Sequence, residues 1–291
     1  MAKVAFLGLG VMGYPMAGHL LKKGGHDVTV YNRSAAKAQQ WVGEFGGKSA
    51  ATPRAAAQGA ELVAMCLGND DDVRSVVYGN DGALAGMGKG TILVDHTTAS
   101  ADLARELHAK CKEAGVGFVD APVSGGQAGA VNGQLGIMCG GEDPVFAKAK
   151  PVLDIYAKSC VQIGGPGAGQ LCKMVNQIAI AGLLQGLSEA INFGKKSGLD
   201  IEKVISVISK GAAQSWQMEN RWKTMNEIKF DGFGFAVDWM RKDLGICLDE
   251  AQRNGARLPA TALIDQFYAQ VQARGGGRWD TSSLLNLLAK D

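Results

Sequence analysis

The sequence predicts an α/β fold, in which a doubly wound, mostly parallel sheet is followed by an all-α domain built on a long interdomain helix. Two observations carry this prediction. Before Gly164, short apolar runs rich in β-branched residues alternate with helical patterns, and such runs are typical of strands buried on both faces. After the break at 164–167, no convincing strand follows. We therefore expect one domain at residues 1–164 and a second at residues 165–291.

Seven runs in the first half have the composition expected of strands. They are Val4–Leu9, Val28–Tyr31, Leu62–Leu67, Ile92–Asp95, Val116–Asp120, Leu135–Cys139 and Val161–Ile163. Helical patterns between them predict helices on both faces of the sheet. These patterns are Met12–Lys23, Ala35–Phe45, Val73–Tyr78, Ala101–Ala114 and Pro144–Tyr156.

The second half is predicted to be helical throughout. From Ala168 to about Lys195, one pattern carries only Lys173 and Glu189 as charges before the final lysines. A helix that is apolar nearly all round is expected to be buried. Shorter helical patterns follow at Ile201–Ser209, Met218–Glu227, Val237–Asn254, Pro259–Arg274 and Thr281–Ala289.

The composition is that of a folded chain without a strong bulk charge. Of its 291 residues, 46% are hydrophobic and 20% are charged, and the formal net charge is +2. This balance excludes wholesale disorder and gives no indication of a nucleic-acid partner. The most apolar stretch, Ile178–Ile191, is broken by polar residues, so no membrane partner is expected. None of the six cysteines lies in a CxxC or zinc-type spacing, which predicts reduced thiols in a cytoplasmic protein.

A G-x-G-x-x-G segment follows the first predicted strand and opens a helix. In this motif the first glycine makes a tight turn, the second admits a pyrophosphate close to the backbone, and the third lets helix and strand pack closely. The helix N-terminus then faces the phosphates. An ordinary tight turn is the alternative, but the context favours a dinucleotide site. The candidate cofactor residues here are Gly8, Leu9, Gly10, Val11, Met12 and Gly13.

The end of the second strand reads Asn32, Arg33 and Ser34. An acidic residue here would bind the ribose 2′-hydroxyl of NAD, but none is present. An arginine with two short polar neighbours suits a 2′-phosphate instead. The sequence therefore predicts NADP as the cofactor, with NAD accepted more weakly. The alternative is a solvated surface arginine.

Polar and glycine residues follow two later strands, at the edge of the sheet where ligands bind in such folds. Ser124, Gly125 and Gly126 offer a hydroxyl and successive backbone N–H groups, which can bind a small carboxylate. A flexible loop is the alternative. His96 follows the preceding strand, and a lone histidine of this kind is more often structural than catalytic.

Lys173 and Asn176 lie three residues apart in the long helical pattern, so they share one face of the helix. A lysine among apolar residues is costly to bury without a purpose. Burial would make its ammonium a usable proton donor. The alternative is a lysine whose stem is buried while its head reaches solvent.

Four motifs, in order and over essentially the whole chain, resemble those of the β-hydroxyacid dehydrogenase family. Val4–Ala17 resembles the family's cofactor motif, and Asp120–Gly126 resembles its substrate motif. Gly167–Gln177 resembles the catalytic motif, and Lys242–Leu244 resembles a C-terminal cofactor-site motif. The resemblance implies a Rossmann-type first domain and an NAD(P)-linked dehydrogenase.

The resemblance also implies roles for single residues. Lys173 would be the general acid in carbonyl reduction, and Asn176 would hold the substrate. The segment Ser124–Gly126 would bind the substrate's carboxylate. No metal is needed, because the lysine supplies the positive charge that polarises the carbonyl. Positions that contact the cofactor in relatives are matched by Leu67, Thr97 and Lys242.

The sequence departs from the family pattern in two loops. Gly68 follows Leu67 where many relatives have proline, and the segment 95–101 lacks a proline that relatives often have. Neither departure touches the predicted proton donor, so activity is still expected.

The predicted function is the NADP(H)-dependent interconversion of a small β-hydroxyacid and its semialdehyde or keto acid. Trp216 is the candidate to complete the substrate pocket, with Met218 or Phe235 as alternatives. A reductase of bulkier ketones or cyclic imines, and a non-catalytic dinucleotide-sensing protein of the same fold, are the competing predictions. The apolar long helix and the tryptophans indicate a homodimer or homotetramer.

Overall fold

The computed structural model describes residues 1–288. Contacts between Cα atoms divide the chain into two compact units, Met1–Lys173 and a second unit that begins at Met174.

The first unit is built on a nine-stranded sheet. Strands β1 to β6 form its parallel part in the order β3-β2-β1-β4-β5-β6, which is the doubly wound arrangement. Strand β8 is antiparallel to β6 and β7 and parallel to β9. The strands are β1 Lys3–Leu7, β2 Asp27–Tyr31, β3 Lys48–Ser49, β4 Leu62–Met65, β5 Ile92–Asp95, β6 Gly117–Asp120, β7 Val123–Ser124, β8 Leu135–Gly141 and β9 Ala157–Gly164.

Helices cover both faces of this sheet. Along β1, Val4 and Phe6 belong to one apolar cluster while Ala5 and Leu7 belong to another, because successive side chains of a strand point to opposite faces. The predicted doubly wound sheet is therefore confirmed. The helices are α1 Gly13–Lys22, α2 Ala35–Phe45, α3 Pro53–Ala57, α4 Asp70–Val77, α5 Ala83–Gly86, α6 Ala101–Glu113, α7 Gly126–Asn132 and α8 Asp143–Leu153.

The second unit is helical, and its described residues form no strand element. This confirms the predicted all-α region, whose long helix α9 begins inside the first unit. The helices are α9 Ala168–Lys196, α10 Ile201–Ile208, α11 Trp216–Asn226, α12 Val237–Asn254, α13 Pro259–Ala273 and α14 Leu285–Leu288. Short 3-10 turns lie at Gly276–Arg278 and Thr281–Leu284.

Helix α9 is amphipathic in its burial, although its sequence predicts burial all round. Leu184 and Ile191 are buried, whereas Val175, Leu183 and Phe193 are exposed. The apolar pattern cannot distinguish a side chain packed in a core from one left on an apolar surface.

No helix of residues 1–288 combines the length and the apolar composition that a membrane-spanning segment requires.

Several short elements were not predicted. Strands β3 and β7 have two residues each, which is too short for a periodic pattern. Strand β9 begins four residues earlier than predicted, because its exposed polar residues hide it among loop-like sequence. The predicted last helix also differs, since a 3-10 turn occupies its first four residues. Its final residue, Ala289, lies outside the described residues.

Candidate active site

The three glycines of the G-x-G-x-x-G segment have different surroundings. Gly8 has φ +95°, and a Cβ there would collide with the carbonyl oxygen of Cys66. A Cβ on Gly13 would collide with the carbonyl oxygen of Gly8. A Cβ on Gly10 would meet nothing within 4 Å. The backbone at Gly10 is therefore open to a ligand, while the other two glycines are required by the protein's own packing.

Asn32 fixes the shape of this glycine loop. Its Oδ1 accepts a hydrogen bond from the backbone N–H of Leu9 at 2.9 Å, and its Nδ2 donates to the carbonyl of Ser34 at 3.1 Å. The backbone N–H of Gly8 also donates to the carbonyl of Tyr31 at 2.8 Å. The end of β2 thus holds the loop after β1 through backbone and side-chain contacts.

Arg33 projects from the end of β2 into solvent. Its side chain is 90% exposed, and its Nη1 lies 3.6 Å from Oδ1 of Asp72 in the first turn of α4. A pair this exposed contributes little to stability. The guanidinium is therefore available to an anionic ligand, with a carboxylate beside it.

The loops after β4 and β5 meet at Thr97, which is buried. The Thr97 Oγ1 accepts a hydrogen bond from the backbone N–H of Leu67 at 2.9 Å. The backbone N–H of Thr97 donates to Oδ1 of Asp95 at 2.9 Å. Leu67 and Thr97, both predicted to contact the cofactor, are thus hydrogen-bonded to each other at the carboxyl ends of β4 and β5, next to the point between β1 and β4 where the strand order reverses.

Asp95 and His96 are both fully buried beside this loop. Burial raises the pKa of Asp95 to about 7, although hydrogen bonds from Thr97 oppose the rise. Burial lowers the pKa of His96 to about 4. The ring nitrogens of His96 lie 2.7 Å from the carbonyl of Ala121 and 2.8 Å from the hydroxyl of Tyr156. His96 is thus a hydrogen-bonded core residue, as its sequence context suggested.

Ser124, Gly125 and Gly126 form a tight transition from β7 into α7. Gly125 and Gly126 have φ values of +125° and +61°, which favour glycine. Helix α7 follows directly at 126–132. Both glycines are exposed and Ser124 is half-buried, so the segment is accessible to a small ligand.

Asp120 anchors the first turn of α9. Its Oδ1 accepts a hydrogen bond from the backbone N–H of Gly167 at 2.8 Å, and its Oδ2 accepts one from Gln170 at 2.9 Å. Burial raises the pKa of Asp120, and these backbone N–H groups oppose the rise. A Cβ on Gly169 would collide with the carbonyl of Met138, so the helix end lies close against the sheet.

Lys173 follows one turn after this anchor, and it is only 7% exposed. The predicted proton donor therefore sits on a helix whose start is held by a buried carboxylate. Asn176 lies three residues further along the same helix.

A chain of polar contacts continues along α9 within the second unit. Nδ2 of Asn176 donates to Oε1 of Gln177 at 2.8 Å, and Nε2 of Gln177 donates to Oδ2 of Asp243 at 2.6 Å. Nζ of Lys242 lies 3.0 Å from Oδ1 of Asp243. Asn176 and Lys242, both predicted site residues, are thus connected through Gln177 and Asp243. Both connecting residues are buried, and the sequence predicted no role for either.

Trp216 is the first residue of α11 in the second unit, and it is 56% exposed. The guanidinium of Arg221 lies over its ring, 5.1 Å from the centroid. Arg221 is itself held by Asp280, whose Oδ1 lies 3.2 Å from Nε. A cation–π contact therefore fixes the orientation of this indole on the surface of the unit.

Among residues 1–288, no group of three or more His, Cys, Asp or Glu side chains could hold a metal ion. None of the six cysteines forms a disulfide within residues 1–288, and the Sγ atoms of Cys139 and Cys160 lie 3.7 Å apart.

Two protein families match successive parts of the chain. The NAD binding domain of 6-phosphogluconate dehydrogenase matches residues 3–164. The family described as NAD-binding of NADP-dependent 3-hydroxyisobutyrate dehydrogenase matches residues 167–288.

Individual proteins are similar over nearly their full lengths. An uncharacterized oxidoreductase of Shewanella frigidimarina is 64% identical over 100% of this chain and 99% of its own. The 2-hydroxy-3-oxopropionate reductase of Escherichia coli is 32% identical over 98% of this chain and 97% of its own. The structure of a Mycobacterium tuberculosis 3-hydroxyisobutyrate dehydrogenase with L-serine superposes with a TM-score of 0.89, at 29% identity and with full coverage of both chains.

Proposed function

The chain belongs to the β-hydroxyacid dehydrogenase family of NAD(P)-dependent oxidoreductases, and we propose that it interconverts a small β-hydroxyacid and its semialdehyde or keto acid with NADP(H) as cofactor. The single observation that carries the proposal is Lys173, a lysine buried one turn after the anchored start of α9. Burying an ammonium costs free energy unless it is paired or hydrogen-bonded, and such buried ionisable groups are frequent at functional sites.

Lys173 is the proposed general acid and base. A bound nicotinamide dinucleotide supplies the hydride for reduction and accepts it for oxidation. In reduction, Lys173 donates a proton to the oxygen that was the carbonyl, and in oxidation it takes the proton from the hydroxyl. Asn176 binds the same substrate oxygen or the oxygen next to it. The side-chain amide of Asn176 is oriented by its hydrogen bond to Gln177.

The carboxylate of the substrate is assigned to the segment 124–126, which begins at the last residue of β7. Ser124 offers its hydroxyl, while Gly125 and Gly126 offer backbone N–H groups in an exposed turn. We also propose Trp216 as a wall of the substrate pocket and Lys242 as a cofactor contact.

The cofactor is assigned to the edge formed by the ends of β1, β2, β4 and β5. The open backbone at Gly10 suits a pyrophosphate. The exposed guanidinium of Arg33 suits a 2′-phosphate, and the family that matches the second half is described as NADP-dependent. These observations support NADP over NAD.

We further propose that residues 1–164 form the dinucleotide-binding domain and residues 165–291 a substrate and oligomerisation domain. The exposed apolar residues Val175, Leu183 and Phe193 on α9 support a homodimer or homotetramer. Six cysteines in the reduced state support a cytoplasmic location. A reductase of bulkier ketones or imines, or a non-catalytic sensor, gains no support from the relatives named above.

The test is a panel of small β-hydroxyacids, semialdehydes and keto acids, followed by the absorbance of NADPH and NADH. Lys173→Ala should lower kcat by about 10²–10⁴ and leave the Kd for NADPH nearly unchanged. Lys203→Ala, which removes an exposed lysine paired with Asp200, is the control and should retain full activity. A Lys173→Ala variant that keeps more than about a tenth of the activity is incompatible with this role.

A further inference from the structure

We propose that Gln170 is a positioning residue, which couples the cofactor-contacting loops after β4 and β5 to Lys173. This inference rests on the proposed function of Lys173 as proton donor. It assigns to Gln170 a role in placing that donor when the dinucleotide is bound.

Both the nitrogen and the oxygen of the Gln170 side-chain amide bond to one loop. Its Nε2 donates to the carbonyl of Thr97 at 2.7 Å, and its Oε1 accepts from the backbone N–H of Ala99 at 3.1 Å. The residue is only 1% exposed. The amide therefore completes the hydrogen bonding of the irregular segment between β5 and α6, where two backbone groups would otherwise be buried without a partner.

This loop is continuous with the proposed cofactor contacts. The hydroxyl of Thr97 holds the backbone N–H of Leu67 at 2.9 Å. Leu67 follows β4, and its side chain lies against the glycine loop, since a Cβ on Gly8 would meet Leu67 Cδ2 at 2.8 Å. A dinucleotide that contacts Leu67 or Thr97 therefore contacts the same pair of loops that the side chain of Gln170 holds through Thr97 and Ala99.

On its other side, Gln170 is part of the helix that carries Lys173. Its backbone N–H donates to Oδ2 of Asp120 at 2.9 Å. Residues 170 and 173 are three apart, so they lie on the same face of α9. Gln170 thus links three places in the first unit, namely the end of β6, the loop after β5 and the helical turn that ends at Lys173.

A merely structural glutamine would affect folding and leave catalysis by the folded enzyme unchanged. A positioning glutamine acts through Lys173, so its loss should matter only while Lys173 is present. These two roles are separated by a double-mutant cycle.

Two substitutions isolate the side chain. Gln170→Glu keeps the shape and the acceptor for Ala99 but removes the donor to Thr97. Gln170→Met removes both hydrogen bonds without adding charge. Both leave the backbone contact with Asp120 in place. The control is Gln185→Ala, which alters another glutamine of α9, whose amide donates to Glu189 on the surface.

The experiment measures kcat, KM for the best substrate of the panel and Kd for NADPH in each variant, alone and combined with Lys173→Ala. Thermal unfolding confirms that each variant is folded. We expect Gln170→Met and Gln170→Glu to lower kcat by about tenfold or more and to weaken NADPH binding, because loss of the hydrogen bonds to the loop leaves buried polar groups unpaired. In the Lys173→Ala background, either substitution should lower kcat by less than about twofold, and Gln185→Ala should have no effect in either background.

Equal fold-losses in both backgrounds, or a kcat within about twofold of wild type for the folded Gln170 variants, would overturn the coupling role. Such results leave the Lys173→Ala defect intact, so the proposed function would stand. If Lys173→Ala alone keeps full activity, the proton-donor assignment and the coupling both fail.

Discussion

Asp120 and Gln170 are fifty residues apart in the chain, yet the carboxylate of Asp120 accepts the backbone N–H of Gln170 at 2.9 Å. Asp120 is the last residue of β6, and the proposed substrate segment begins four residues later. One buried carboxylate therefore fixes both the end of that strand and the start of α9. A negative charge at a helix N-terminus is also favoured by the helix dipole.

Asp120→Asn should destabilise the fold. An amide has one acceptor oxygen, so at least one of the N–H groups of Gly167 and Gln170 would lose its partner. A buried group left unpaired costs about 1–3 kcal/mol, which urea unfolding would measure as a lower free energy of unfolding. Asp102→Asn removes an exposed carboxylate that pairs with Arg105 and should change this free energy by less than about 0.5 kcal/mol. A fully stable Asp120→Asn protein would contradict the anchoring role.

Gly10→Ala and Gly13→Ala should fail in different ways. A Cβ at Gly13 collides with the carbonyl of Gly8, so Gly13→Ala should lower the free energy of unfolding by about 1–3 kcal/mol. A Cβ at Gly10 meets no protein atom within 4 Å, so Gly10→Ala should fold normally. It should nevertheless raise the Kd for NADPH by about tenfold or more, because the methyl group occupies space that the pyrophosphate requires. Calorimetric titration and thermal unfolding of both variants decide this, and normal NADPH binding by Gly10→Ala would place the pyrophosphate elsewhere.

Arg33→Ala should remove most of the preference for NADPH. A charge-assisted contact with the 2′-phosphate is worth about 1.5–3 kcal/mol, so wild type should favour NADPH over NADH by at least about tenfold in kcat/KM. The nearby carboxylate of Asp72 competes for Arg33 and repels a phosphate. Asp72→Asn should therefore increase the preference. Steady-state kinetics with both cofactors measures it, and an equal effect of Arg33→Ala on NADPH and NADH would show that Arg33 does not bind the 2′-phosphate.

Ser124→Ala should raise KM selectively for substrates that carry a carboxylate. The hydroxyl of Ser124 would donate to that carboxylate, and a hydrogen bond to a charged group is worth about 1.5–3 kcal/mol. An increase of about tenfold or more is expected, while turnover of uncharged aldehydes is spared. Comparable losses on both kinds of substrate would mean that Ser124 does not bind the carboxylate.

Asp95 and His96 should give opposite pH dependences of stability. Folding raises the pKa of Asp95 from 3.8 to about 7. The contribution of Asp95 to the free energy of unfolding is therefore lost as the pH rises across that window. Folding lowers the pKa of His96 from 6.5 to about 4. The contribution of His96 to the free energy of unfolding is therefore lost as the pH falls through that window. Between about pH 4 and 6.5 the two effects oppose each other in wild type.

Single substitutions should therefore reveal one effect at a time. Compared with wild type, the unfolding free energy of Asp95→Asn should rise more steeply with pH between about 4 and 6.5, and that of His96→Gln should rise less or fall. Urea unfolding across this range measures the slopes. Parallel slopes for all three proteins would show that neither group titrates as its burial indicates.

The parts of the site that the sequence revealed depend on local spacing. Gly8, Gly10 and Gly13 are recognisable because the turn, the open backbone and the close packing must occur within six residues. Lys173 stands out because a charge in an apolar helical pattern is unusual. The parallel sheet with helices on both faces followed from the alternation of strands and helices, whereas the order of the strands is known only from the structure.

The parts that the sequence did not reveal depend on contacts between distant segments. The bond between Gln177 and Asp243 joins residues 66 apart, and that between Gln170 and Ala99 joins residues 71 apart. No periodic pattern encodes such pairs. Asn32 illustrates the same limit, because its position after β2 indicated a cofactor contact, whereas its hydrogen bond with Leu9, 23 residues away, could not be read from the sequence.

The anchor of α9 also determines where this protein can be cut or recombined. A fragment that ends at residue 164, where the last strand finishes, would leave the buried carboxylate of Asp120 without the N–H groups of Gly167 and Gln170. Chimeras that exchange the helical half between relatives should therefore retain residues 165–173 with the sheet, so that the junction falls after the first turn of the helix. A junction placed at 164–167 would instead combine the strand end of one protein with the helix start of another, so that the bonds between them must form across two different parents.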